Sequence, residues 1–148
     1  MKVSTKGRYG LRAMVDLAIH STNGHVALYC IAERQNISVN YLEQVFSTLR
    51  KAGLVKSVKG AQGGYTLADI PSNITIGKIL RSLEGNLSVV DENEIDASED
   101  QSVRYCIKVN VWDKMTDSLN YLVDSITLED LVNEYKKMSG TLATMYYI

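Results

Sequence analysis

Asn40, Glu43 and Gln44 fall three and four positions apart, the spacing that sets side chains on one face of a helix. Gln and Asn can each hold adenine through two hydrogen bonds, and Glu can accept one from cytosine N4. Such a face is equipped to read base edges. Glu43 works against phosphate-lined grooves, so it points to specificity by rejection. Ser38, Tyr41, Arg50 and Ser57 carry the hydroxyl and guanidinium donors that hold phosphates and set register. Lys59 heads the glycine-rich stretch Lys59-Gly60-Ala61-Gln62-Gly63-Gly64, placed to reach an adjacent minor groove. That stretch lacks the Gly-Lys-Ser/Thr ending of a phosphate-binding loop and precedes a strand, so nucleotide binding is discounted.

Other chemistry has little to build on. His20 and His25 are the two histidines, and neither has a Cys, His, Asp or Glu partner at a ligand spacing. Cys30 lies in an apolar stretch and Cys106 far from it, which excludes a C-x-x-C pair and a disulfide framework. Both read as buried, unreactive thiols. No nucleophile elbow, H-E-x-x-H motif or paired-carboxylate pattern is present. The expectation is therefore a protein that is not an enzyme and holds no metal and no cofactor.

The elements that must position the reading face follow from periodicity. Ser4 or Thr5 can cap a first helix carrying Leu11, Met14, Leu17 and Ala18, ended by Asn23-Gly24. Val26 to Gln35 reads as a second helix that stops near Asn36. Ser38 caps a third, whose stripe Leu42, Val45, Phe46 and Leu49 predicts a buried face opposite Asn40, Glu43 and Gln44. Gly53 stops it. Leu54–Val58 and Tyr65–Leu67 read as two strands around the glycine-rich tip. Helix, helix–turn–helix and hairpin is the order of a winged helix. Ile74 to Leu83 predicts a fourth helix. The fold class is mostly α with a small β-hairpin wing, a winged helix–turn–helix plus a long dimerisation helix.

That last element is the stretch from Val103 to about Ser125. Ile107, Val111, Met115, Leu119 and Leu122 recur at steps of three or four, with Val109, Trp112 and Val123 widening the stripe. One winged domain is too small to cover it, so the same helix of a second copy, related by two-fold symmetry, is expected to, the alternative being a helix folded back on its own domain. Thr127 caps a short last helix. The organisation is read as residues 1–84 for DNA binding, 85–102 as an acidic loop, 103–126 for dimerisation and 127–148 as a C-terminal helix and tail. The loop holds six acids in Asp91–Asp100 and reads as exposed and mobile.

With 148 residues and 45% hydrophobic content, the chain can bury a real core. No apolar run is long enough for a membrane span, and no secretory signal opens the chain, so a cytoplasmic protein is expected. The net charge of −1 hides an asymmetry. Residues 1–70 hold nine Lys/Arg against four acids, a net +5, and the rest holds seven against thirteen, a net −6. The first part suits a polyanionic partner.

The segments MKVSTKGRYGLRAM, ISVNYLEQVFSTLRKAGLVKSVKGAQGGYTLA and ITIGKILRSLEG resemble the Rrf-type winged-helix transcriptional regulators over nearly the whole chain. That family includes iron–sulfur-cluster regulators, nitric-oxide sensors and cysteine-metabolism repressors. The resemblance implies a homodimer on double-stranded, pseudo-palindromic DNA. It implies contacts from Ser38, Asn40, Tyr41, Glu43, Gln44 and Lys59, with Lys6 and Tyr9 resembling N-terminal phosphate contacts. Lys59 stands where the family usually has Arg, which weakens minor-groove preference. Cluster-binding members carry C-x5-C-x5-C; here Cys106 matches the last position, Glu94 and Asp100 stand at the others, and Val109 replaces a histidine. One thiolate cannot hold a cluster.

The ending Met145-Tyr146-Tyr147-Ile148 looks like the tail of the cysteine-metabolism repressors, whose partner is cysteine synthase. Its free carboxylate resembles the tail with which serine acetyltransferase enters that enzyme's active site, so Tyr147 and Ile148 are candidate partner-binding residues. The resulting expectation is a homodimeric repressor of cysteine or sulfur metabolism. The alternatives are a thiol-sensing repressor using Cys106 or Cys30, and a protein-interaction adaptor without DNA binding.

Overall fold

The structure is a computed structural model that describes residues 2–91 and 102–147, with 141–147 as backbone only. Its elements are α1 (Thr5–His20), α2 (Leu28–Gln35), α3 (Val39–Lys51), β1 (Val55–Val58), β2 (Gly64–Leu67), α4 (Ile76–Glu84), α5 (Val103–Ile107), α6 (Asp113–Asp124) and α7 (Leu128–Tyr147). A π-helical stretch, Lys108–Trp112, joins α5 to α6 without a break.

α1 begins at Ser4, whose hydroxyl accepts from the Gly7 N–H. α2 ends at Asn36, which takes the left-handed conformation (φ 55°) that Asn tolerates better than most residues. The chain turns there at once, and Ile37 plugs the turn with 7% of its surface exposed. Ser38 caps α3 by accepting from the Tyr41 N–H. The α3 stripe Leu42, Val45, Phe46 and Leu49 is buried among Met14 and Leu17 of α1, Ile31 of α2 and Ile79 of α4. Burial of this kind, at about 25 cal/mol per Å² of apolar surface, is what fixes the opposite face of α3 toward solvent. Gly53 (φ 79°) ends α3 in a conformation that disfavours side chains. β1 and β2 then pair antiparallel with Val55 opposite Leu67 and Val58 opposite Gly64. The architecture is a mostly helical winged helix with a two-stranded wing.

Several expectations need correction. The second helix starts at Leu28, not Val26, because Val26 exchanges two 2.9 Å backbone hydrogen bonds with Tyr65 and so serves the wing. The fourth helix starts at Ile76. Ile74 and Thr75 precede it, with the Thr75 hydroxyl as its cap, and Ile74 accepts from the Leu128 N–H. The last helix is 20 residues long rather than short. Thr127 does cap it, exchanging bonds with Asp130, and its apolar positions Leu128, Leu131, Val132, Tyr135 and Met138 keep helical spacing past the point where the sequence suggests a tail. Cys106 is exposed rather than buried, since α5 has no buried residue, while Cys30 is half-buried at the core edge. The acidic segment after Asp91, with Glu94 and Asp100, lies outside the described residues, as do Ile148 and the Tyr147 side chain.

The long helix is neither fully free nor fully folded back. Its C-terminal half lies on α4: Val123 is buried, Leu119 packs on the core, and Arg81 of α4 reaches Asp124 and Asn120, each at 2.7 Å. The other side stays uncovered, with Ile107 and Val111 each 39%, Met115 47% and Leu122 55% exposed. α7 turns back to pack on α1.

Candidate nucleic-acid interface

Asn40, Glu43, Gln44 and Ser47 line one shallow open hollow on the solvent face of α3. The three residues expected to read bases are all exposed. A second hollow of about 580 Å³ opens beside it between α3, the start of α2 and the wing tip. His25, Tyr29, Val39, Glu43, Gln62 and Gly63 are among its walls, so Glu43 borders both hollows. The sequence therefore yields one flat helix face where the structure has a face and an adjoining cleft.

The other expected residues are placed as follows. Ser38 is exposed at the head of α3, with its oxygen occupied by the cap, which leaves its hydroxyl hydrogen to donate. Tyr41 is half-buried and meets Tyr9 of α1 edge-on, ring centroids 6.0 Å apart. Arg12 lies 5.2 Å over the other ring, so Arg12, Tyr9 and Tyr41 form a stack that links α1 to α3. Tyr9 and Tyr41 thus pack as well as present hydroxyls. Lys6 is half-buried in the first turn of α1. Arg50 is exposed in the last turn of α3, about 15 Å along the axis from Asn40. Ser57 and Lys59 are exposed on the wing. Lys6, Arg50 and Ser57 line neither hollow.

Three contributors escape sequence reading. Arg12 belongs to the aromatic stack. Tyr29 is 63% exposed on the first turn of α2. His25, weighed from the sequence only as a metal ligand, instead hydrogen-bonds the Gln62 carbonyl through Nε2 at 2.5 Å. The pair is 37 positions apart, and no local pattern announces it.

Behind this surface, one buried carboxylate fixes the angle between α1 and α2. Asp16 is 2% exposed, receives Arg34 through Nε and Nη2 at 3.0 and 2.7 Å, and accepts from Gln35 at 2.9 Å. That hydrogen bonding pushes the Arg34 guanidinium further up from its ordinary value.

Among the described residues no three His, Cys, Asp or Glu side chains gather as a metal site. A sulfur-ligated cluster asks for several thiolates, and this chain offers Cys106 at the relevant helix, with Cys30 on α2. The donor set does not fit such a cluster. No helix among the described residues is long and apolar enough to cross a membrane.

Comparison with known proteins agrees with this geometry. The profile of the Rrf2 family, described as iron-dependent transcriptional regulator, matches residues 3–134. The HTH-type transcriptional regulator CymR of Bacillus subtilis is 46% identical over 133 residues, 90% of this chain and 91% of that protein. Its solved structure, described as the global cysteine regulator of B. subtilis, superposes with TM-score 0.77 at 44% identity, covering 90% of this chain and 98% of that one. The structure of IscR from T. potens gives TM-score 0.74 at 46% identity, covering 93% and 90%. These relatives are regulators of transcription and not enzymes. A matched stretch from the first helix into the last, on the same winged-helix fold, places this chain in the Rrf2 family of transcriptional regulators.

Proposed function

We propose that the chain is a sequence-specific DNA-binding repressor that acts as a homodimer. The observation that carries this is the exposed Asn40–Glu43–Gln44 face beside a lysine-tipped wing, on the part of the chain with net charge +5. α3 would enter the major groove of each half-site and Lys59 the neighbouring minor groove. The uncovered stripe Ile107, Val111, Met115 and Leu122 supports the dimer, with a second copy as its cover. An apolar groove of about 860 Å³, lined by Leu11, Val15, Ile19, Leu131, Tyr135 and Met138, supplies a hollow for such a ridge. Two-fold symmetry lets each protomer give a ridge and receive one.

The test is titration of the full chain with duplexes selected from a random-sequence pool, at several salt concentrations. Steep salt dependence is expected, and Lys59→Ala should lower the slope by about one. Binding that ignores salt would sink the reading and favour a protein-interaction adaptor.

Control of cysteine metabolism is the finer reading, supported by the likeness to CymR at 46% identity. It makes cysteine synthase the expected partner, with Tyr147 and Ile148 as the candidate contacts. Calorimetric titration with that enzyme should show binding that vanishes from a chain lacking Ile148. No binding by either chain removes the partner. The exposure of Cys106 favours a second reading, thiol sensing. Operator affinity that falls on oxidation in the wild type, and not in Cys106→Ser, would support it.

A further inference from the structure

The wing tip is weakly held by its own hairpin. Three of the six residues from Lys59 to Gly64 are glycine, which leaves the backbone many alternatives. Within it the Gly63 N–H donates to the Gly60 carbonyl at 3.0 Å. Two restraints come from elsewhere in the chain. At the base, Val26 and Tyr65 exchange their backbone bonds, and a Cβ at Gly64 would strike the Val26 carbonyl, so the two segments touch closely there. At the tip, His25 Nε2 donates to the Gln62 carbonyl at 2.5 Å. Since the acceptor is a carbonyl, Nε2 carries a hydrogen, and protonation of Nδ1 leaves that donor in place. His25 is exposed and adds nothing to the core. Its described contact is a strap from the segment before α2 to the tip of the wing.

We infer that His25 is a positioning residue that holds the wing tip beside α3 and so sets where Lys59 meets DNA. This rests on the DNA-binding reading. Tyr29, Val39 and Glu43 share the cleft with His25 and Gln62, so the strap also fixes the width of the gap between wing and recognition helix. A tip fixed before binding spares the complex the entropy of ordering it. Val26 sits one residue after His25, so the bridge at the base and the strap at the tip act as two fixed points on one hairpin.

The experiment has two arms, each run on wild type, His25→Ala and His25→Gln. The first is amide hydrogen exchange over residues 60–64 in the absence of DNA. His25→Ala should speed it about 3- to 10-fold, in line with losing one hydrogen bond, and His25→Gln, whose amide nitrogen can donate to the same carbonyl, should restore much of the protection. The second is affinity for a duplex selected on the wild type from a random pool. His25→Ala should weaken it about 3- to 10-fold, and Lys59→Ala should cost less in the His25→Ala background than in the wild type. Exchange that does not change overturns the strap. Faster exchange with fully additive losses at His25 and Lys59 overturns the positioning role. A wild type that binds no duplex overturns the DNA-binding reading and the positioning role together, while the exchange arm still decides whether the strap exists.

Discussion

Gln44 is exposed on the solvent face of α3, one turn from Asn40, while its neighbours Val45 and Phe46 are buried. That division lets its side chain change without disturbing the core, so a substitution there reads recognition rather than stability. Gln44→Ala should lower affinity for the selected duplex by about 1–3 kcal/mol and relax preference at one base position. Selection repeated on the variant would show the relaxation, and equal loss on every sequence would assign Gln44 to the backbone instead. Asp16 acts at the same scale by a different route. Its four-point hold on Arg34 and Gln35 fixes α2, and α2 feeds the turn at Asn36 from which α3 departs. A buried carboxylate is tolerated there because its oxygens are fully partnered, with the His20 ring 3.4 Å away as a further neighbour.

Among the elements, α4 and α6 are joined by one guanidinium. Arg81 pairs both oxygens of Asp124 at 2.7 Å and adds two bonds to Asn120, whose amide also reaches the Leu87 carbonyl. The hydrogen bond from Arg81 holds the Asp124 carboxyl below its ordinary value. A carboxyl depressed in the folded state stabilises fully above its unfolded value, and the contribution fades as pH falls through the lower folded one. Asp124→Asn should therefore flatten the acid side of the stability profile in urea unfolding. With Asp124 nearly half exposed, solvent screening keeps the loss at neutral pH to about 1 kcal/mol or less. Little of this pairing is legible in the sequence, because it spans 43 positions. What is legible is local: the α3 stripe and the Ser38 and Thr127 caps rest on spacing and residue type within one turn. The misplaced start of α2 has a non-local cause, the pairing of Val26 with Tyr65. The π-helical stretch at Lys108–Trp112 carries no composition signal at all. The exposure of Cys106 is not legible either, because a thiol's residue type favours burial while cover for α5 depends on packing far beyond one turn.

At the scale of the molecule, the two faces of the long helix divide the work. One face docks on α4 through Leu119, Val123 and Arg81, which ties its orientation to the helical core that also carries α3. The other face leaves Met115 and Leu122 about half exposed, a cost that a second copy would remove. If the second copy is that cover, the distance between two recognition faces is set by a rigid chain of contacts from ridge to α4 to α3. Met115→Asp and Leu122→Asp should then yield monomers in sedimentation at concentrations where the wild type is dimeric, since each places a charge in the buried centre of the interface. Circular dichroism should show the fold retained, because neither side chain is buried in the single chain. The same variants should bind the selected duplex at least about 100-fold more weakly, since each half-site would be held without the effective concentration a linked partner provides. A wild type that sediments as a monomer and binds with one head would overturn the symmetric reading, and a Leu122→Asp chain that stays dimeric would move the interface to another surface.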